Sequence, residues 1–114
     1  MDIHLKETRS YAREVDIDLS WEEIAADFEQ AIKQFSKRVK LPGFRPGKVP
    51  RKVLMNQFQP AIEADFVENS VNTYYLKALQ EKEIVPINMG SVSDVHFHHG
   101  KHFKFKVAFE IEPD

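Results

Sequence analysis

Phe103, Phe105, Val107, Phe109 and Ile111 alternate with Lys104, Lys106, Ala108, Glu110 and Glu112, a period of two that predicts a strand with one buried and one wet face. The same period carries Tyr11, Val15, Ile17 and Leu19 against Glu14, Asp16 and Asp18. Ile3 and Leu5 add a shorter strand before a turn at Thr8 to Ser10, so the chain opens on a hairpin. Val92, Val95 and Phe97 supply a weaker partner for the last strand, joined to it by a turn at His98-His99-Gly100-Lys101.

Between these strand pairs the period changes. Trp21, Ile24, Phe28, Ile32, Phe35 and Val39 recur every three or four residues, the stripe of a helix buried along one side. Ser20 with Glu23 three residues on has the form of a capping box at its start, and Pro42 with Gly43 stops it. Pro50 suits a first helical position, ahead of a short helix containing Val53, Leu54 and Phe58. Pro60 is expected to interrupt that helix. A second long helix then follows through Ile62, Phe66, Val67, Val71, Tyr74, Tyr75, Ala78 and Leu79, ending near Glu83 because Pro86 disfavours helix just upstream.

The order β-β-α-α-α-β-β predicts an α+β fold: a small, mainly antiparallel sheet covered by two long helices and one short one. The 114 residues suit one domain, 1–114, with one core. There is no cysteine, which excludes disulfides, thiol nucleophiles and cysteine-based zinc sites and fits a reducing compartment. No apolar run is long enough to cross a bilayer, and the start, MDIHLKETRS, lacks the layout of an export signal. A cytoplasmic protein is expected, with no membrane partner.

Net charge is only -2, but it is segregated. From Gln30 to Ile62 there are eight basic residues and no Asp or Glu; the remainder holds eight basic and eighteen acidic residues. One end of the molecule is therefore expected to be positive, aimed at an anionic partner.

At the centre of the acid-free segment stands LPGFRPGKVPRK, residues 41–52. Each of its two Pro-Gly pairs suits the central positions of a type II turn, where proline presets the first dihedral and glycine supplies the positive one. Arg45 precedes Pro46 and is pushed toward extended backbone. Phe44 and Arg45 are thus held between two rigid turns, either as a presented tip or as a connector whose ring folds back on the core. As a tip, the pair can contact phosphate, stack on a base or dock in a protein crevice.

Gly43-Phe44-Arg45-Pro46-Gly47-Lys48-Val49-Pro50 resembles the G-F-R-x-G-x-x-P motif of bacterial trigger factor, the ribosome-associated chaperone. The length and order of elements are similar to that family's N-terminal ribosome-binding domain over nearly the whole chain. The resemblance implies docking on the large ribosomal subunit near the tunnel exit through the 43–50 loop, to position a nascent-chain chaperone for co-translational folding and export. Gly43, Phe44, Arg45, Pro46, Gly47 and Lys48 would bind the ribosome, and Lys37, Arg38, Lys40, Arg51 and Lys52 would form a supporting basic patch. The implied partners are a protein at the tunnel rim, adjacent ribosomal RNA and nascent polypeptides, with a weak homodimer left open. Better-known members often carry lysine where this chain has Pro46. The change removes a charge and stiffens the tip, shifting the electrostatics toward Lys48. Family members continue into a prolyl isomerase domain and a C-terminal chaperone body, so the chain reads as a fragment lacking both, and no isomerase activity is expected of it. A free-standing RNA- or DNA-binding domain using the basic segment 33–52 is the alternative.

The other candidates carry less. His96, His98, His99 and His102 crowd the second hairpin, where His96 and His98 share a strand face. An exposed polar turn explains them without metal, since neither cysteine nor dense carboxylate supports a site. No serine has the glycine context of a nucleophile elbow, and Gly43 with Gly47 fits no nucleotide fingerprint. The pairs Glu22 with Glu23 and Glu110 with Glu112 are solvated charge. Neither a catalytic residue nor a cofactor is expected. The regular spacing of the aromatic stripes assigns most of them to packing rather than to a peptide cradle.

Overall fold

The strand with the cleanest alternation is also an interior strand of the sheet. The computed structural model describes residues 1–113, with elements β1 (Asp2–Glu7), β2 (Ala12–Ser20), α1 (Trp21–Arg38), α2 (Arg51–Glu81), β3 (Ser91–His98) and β4 (His102–Glu110). All strand pairs are antiparallel and the sheet order is β1-β2-β4-β3. The fold is α+β, with both helices inserted between the two hairpins.

Register follows from which side chains must be hidden. Val15, Ile17 and Leu19 on β2 stand opposite Val107, Phe105 and Phe103 on β4, and all six are buried. The alternate residues face outward as a charge ladder, in which Lys104 meets Asp18 at 3.8 Å and Lys106 meets Glu14 at 3.4 Å and Asp94 at 3.3 Å. A slip of one residue would exchange the two faces, so hydrophobic burial fixes the pairing.

β3 breaks its own alternation. Ser93 pairs with Lys106 but His96 with Lys104, so Asp94 and Val95 together oppose one residue of β4, and Asp94 takes φ 52°. This bulge shifts parity. Val92 and Phe97 lie opposite the buried Val107 and Phe103 although one number is even and the other odd.

The helices cover the apolar face. Phe28 of α1 meets Phe66 of α2 at 5.3 Å and Phe97 of β3 at 5.6 Å, and Phe66 meets Phe103 of β4 at 6.0 Å. At the start of α1, Ser20 is the N-cap; both its amide and its hydroxyl donate to the Glu23 carboxylate at 3.2 Å. That carboxylate also meets the Met1 ammonium, tethering the chain terminus to the helix. α1 ends at Arg38, four residues before Pro42, with Val39 as C-cap.

Two helices form where the sequence pattern predicts three. Pro60 lies inside one continuous α2 of 31 residues. An interior proline costs about 3 kcal/mol by removing a hydrogen bond and crowding the preceding turn. Against that stands the stripe Leu54, Phe58, Ile62 and Phe66, which keeps a spacing of four across Pro60. Leu54 and Ile62 are fully buried on either side of it, and each contributes about 1.5–3 kcal/mol that a break would forfeit. Pro60 itself faces solvent. Pro50 is the N-cap rather than the first helical residue; its carbonyl accepts from the Leu54 amide at 3.1 Å. At the other end α2 stops at Glu81, with Glu83 in the left-handed region and the Ile84 amide reaching back to the Leu79 carbonyl at 2.9 Å.

A helix of 31 residues runs about 46 Å at 1.5 Å per residue, longer than the sheet can cover. The molecule is accordingly a rod of 61 × 24 × 20 Å. Its 17.1 Å radius of gyration exceeds the about 13 Å of a compact chain of this size. The overhang, formed by the end of α1 and the start of α2, carries residues 39–50 away from the sheet.

Candidate functional site

The 39–50 connector is built as two hydrogen-bonded turns in series. The Phe44 amide donates to the Leu41 carbonyl at 3.1 Å, closing a turn with Pro42 and Gly43 at its centre. The Lys48 amide donates to the Arg45 carbonyl at 2.9 Å, closing a second over Pro46 and Gly47. Gly43 has φ 88° and Gly47 φ 79°, the positive dihedral a type II turn needs at its third position. A Cβ at either would meet nothing within 4 Å, so backbone conformation and not crowding calls for glycine there.

Between the turns Phe44 is 40% exposed. Gly43, Arg45, Pro46, Gly47 and Lys48 are exposed as well. Neither Arg45 nor Lys48 has a carboxylate within ion-pair distance among the described residues. The loop is tied down elsewhere. Val39 and Leu41 pack against the core at its outgoing leg, and Val49 is only 6% exposed at its return leg. The Gly47 amide donates to the Ser36 carbonyl of α1 at 3.1 Å. Val49, which the sequence pattern marks only as a motif position, is the foot of the loop; its apolar side chain within a polar stretch was the available signal.

The basic patch divides in two. Lys37, Lys40 and Lys52, like Lys33, are exposed without an acidic partner among the described residues. Arg38 is paired with Asp65 at 2.7 Å, its guanidinium also lying 5.6 Å from the Phe35 ring centroid. Arg51 donates to both oxygens of Glu29, Nε at 3.1 and 3.0 Å and Nη2 at 2.6 Å. Hydrogen bonding to Arg51 holds the Glu29 carboxyl below its ordinary 4.5, against the opposing effect of burial. The two acids flank the acid-free segment, at 29 and 65, and folding brings them onto it. Sequence spacing had no means of showing these pairs.

The histidines separate. His96, His98 and His102 lie on the outer face of the second hairpin, with ring centroids 6.5 Å apart for the first two and 4.8 Å for the last two. Slight desolvation, then Lys104 and His98, lower the pKa of His102. His99 turns to the other side, 4.6 Å from Trp21 and 5.3 Å from Phe28, with Nδ1 3.6 Å from Glu63. Among the described residues no group of three or more His, Cys, Asp or Glu has the geometry to hold a metal.

Tyr74 donates to Asp27 at 2.5 Å across the helix pair; burial and that carboxylate push its hydroxyl pKa above the usual range. Tyr75 is buried, and its hydroxyl has no hydrogen-bond partner among the described residues. No helix among the described residues is long and apolar enough to cross a membrane.

An exposed aromatic-arginine tip between two closed turns at the end of a helical overhang, flanked by lysines without an acidic partner among the described residues, is thus a distinctive surface of the molecule. The family model described as bacterial trigger factor protein matches residues 1–114. The trigger factor of Natranaerobius thermophilus is 40% identical over 87 residues, 75% of this chain and 20% of that protein. That of Solibacter usitatus is 32% identical over 100 residues, 88% of this chain and 24% of that protein. That of Geotalea uraniireducens is 29% identical over 114 residues, 100% and 26% respectively. The chain therefore spans about a quarter of the length of these curated relatives. A solved structure, from work on promiscuous substrate recognition in folding and assembly by the trigger factor chaperone, has the same fold: TM-score 0.81 at 21% identity, covering 100% of this chain and 27% of that one. With the family pattern matched from the first residue to the last, this chain belongs to the bacterial trigger factor family.

Proposed function

We propose that this chain is the ribosome-docking domain of a nascent-chain chaperone, binding the large subunit near the tunnel exit through residues 43–50. The observation that carries the reading is the exposure of Phe44 between two closed Pro-Gly turns, beside an Arg45 that has no acidic partner among the described residues. Turns already formed in the free protein leave little ordering entropy to be lost on contact. Phe44 then serves as an apolar anchor for a crevice, and the Arg45 fork suits a carboxylate or a phosphate. Lys37, Lys40, Lys48 and Lys52 steer the positive end toward the anionic ribosome surface and contribute mainly to the rate of encounter. Docking places the remainder of a longer trigger factor, in the cytoplasm, where polypeptides emerge. Prolyl isomerase activity belongs to another part of that protein, and the domain needs no cofactor.

The test is co-sedimentation of the 114-residue chain with bacterial large subunits, against a Phe44→Ala/Arg45→Ala variant. Because both side chains are exposed, the variant should keep its denaturation midpoint and lose at least about tenfold in affinity, equivalent to about 1.4 kcal/mol. Unchanged pelleting of the folded variant overturns the reading. A free-standing nucleic-acid binder would instead bind naked RNA comparably well, with a steep salt dependence.

A further inference from the structure

Glu29 and Ser36 are seven residues apart on α1, two turns along one face, and both receive the return leg of the tip. Ser36 accepts from the Gly47 amide through its carbonyl, and Glu29 accepts the fork of Arg51, the first residue of α2. Between these ties lies a hollow of about 410 Å³, lined by Lys33, Lys37, Val49 and Leu54 among others. Along this stretch the leg is held by the buried Val49 and the two polar ties.

We propose that Glu29 is a positioning residue for the tip: its bidentate clasp on Arg51 fixes the start of α2 against α1 and so sets the direction in which Phe44 and Arg45 project. The proposal rests on the docking reading above, and it assigns Arg51 a mechanical part in place of a direct electrostatic one. The two parts make opposite predictions. As a mere acid beside a basic patch, Glu29 weakens attraction to the ribosome, and Glu29→Gln, which removes one negative charge and frees Arg51, would tighten binding. As a clasp, its loss lets the return leg swing, and the same substitution weakens binding despite the lost negative charge. Arg51→Lys separates charge from geometry, because lysine keeps the cation and lacks the planar fork.

The experiment measures the affinity of the 114-residue chain for bacterial large subunits at two salt concentrations, and in the free protein the hydrogen exchange of the Gly47 amide. Glu29→Gln and Arg51→Lys should each weaken binding about three- to fivefold, the scale of a well-formed exposed ion pair. The double variant should be no weaker than either single one, because both remove the same contact. Gly47 exchange should quicken in all three by more than the slight fall in the global denaturation midpoint accounts for. Tighter or unchanged binding by Glu29→Gln overturns the proposal, as does unchanged exchange at Gly47. If the wild-type chain does not bind subunits at all, the docking reading falls, and the exchange measurement alone decides whether the clasp orients the loop.

Discussion

The two ends of the rod are stabilised by different physics. Over the sheet, Phe28, Phe66, Phe97 and Phe103 interlock with centroids 5.3 to 6.0 Å apart, so that each ring is held by several others. At the overhang Phe35 and Phe58 make one such contact, at 5.5 Å. Beyond it the chain relies on two turns, the buried Val49 with half-buried Val39 and Leu41, and a few polar ties. A packed core fixes shape by excluding alternatives, whereas a tip that must leave its own ring uncovered has to be fixed by backbone conformation. Proline, glycine and an ion pair supply what burial cannot.

Three perturbations test that contrast. Phe28→Ala removes a fully buried ring that touches both helices and β3, and should cost about 3–5 kcal/mol in urea denaturation. A cost near 1 kcal/mol would mean the core is far looser than its geometry implies. Gly47→Ala should cost about 1 kcal/mol, since the added methyl has open space but the residue keeps a left-handed dihedral. It should quicken exchange of the Lys48 amide while leaving core amides protected; a stabilising effect would refute the turn assignment.

Acid gives the smallest effect. Arg51 lowers the Glu29 pKa and the chain's own ammonium lowers that of Glu23, so both pairs contribute fully above the ordinary carboxyl value of 4.5 and are lost as pH falls through the lower folded values. For screened, largely exposed pairs each loss should be under about 1 kcal/mol. Gly47 exchange, corrected for its intrinsic pH dependence, should reveal the loosening of the tip before the near-ultraviolet signal of the core changes. Simultaneous loss of both would show that the ends are not independent.

Much of this contrast was legible in the chain because burial leaves a period. β2, β4 and α1 follow from their alternation and stripe, and the Pro-Gly pairs foretell both turns. What stayed hidden depends on distant partners. Pro60 follows a local rule against helix, but the buried residues on either side outweigh it. The partners of Arg38 and Arg51 lie outside the basic segment, so counting charges along the chain placed them with the unpaired lysines. The shift of parity in β3 has no mark in composition, because Asp94 looks like any polar strand residue until its dihedral is known.

That irregular step in β3 bears on solubility. A sheet of four strands ends in two rows of unsatisfied amides and carbonyls, each able to recruit a strand from another molecule. On one border, Asp2, Lys6 and Glu7 bring charges to any incoming chain. On the other, the extra residue at Asp94 and Val95 interrupts the regular hydrogen-bonding lattice that such a strand would need. For a domain proposed to work among half-made polypeptides, themselves rich in unpaired strands, an edge so interrupted is a poor template for strand addition.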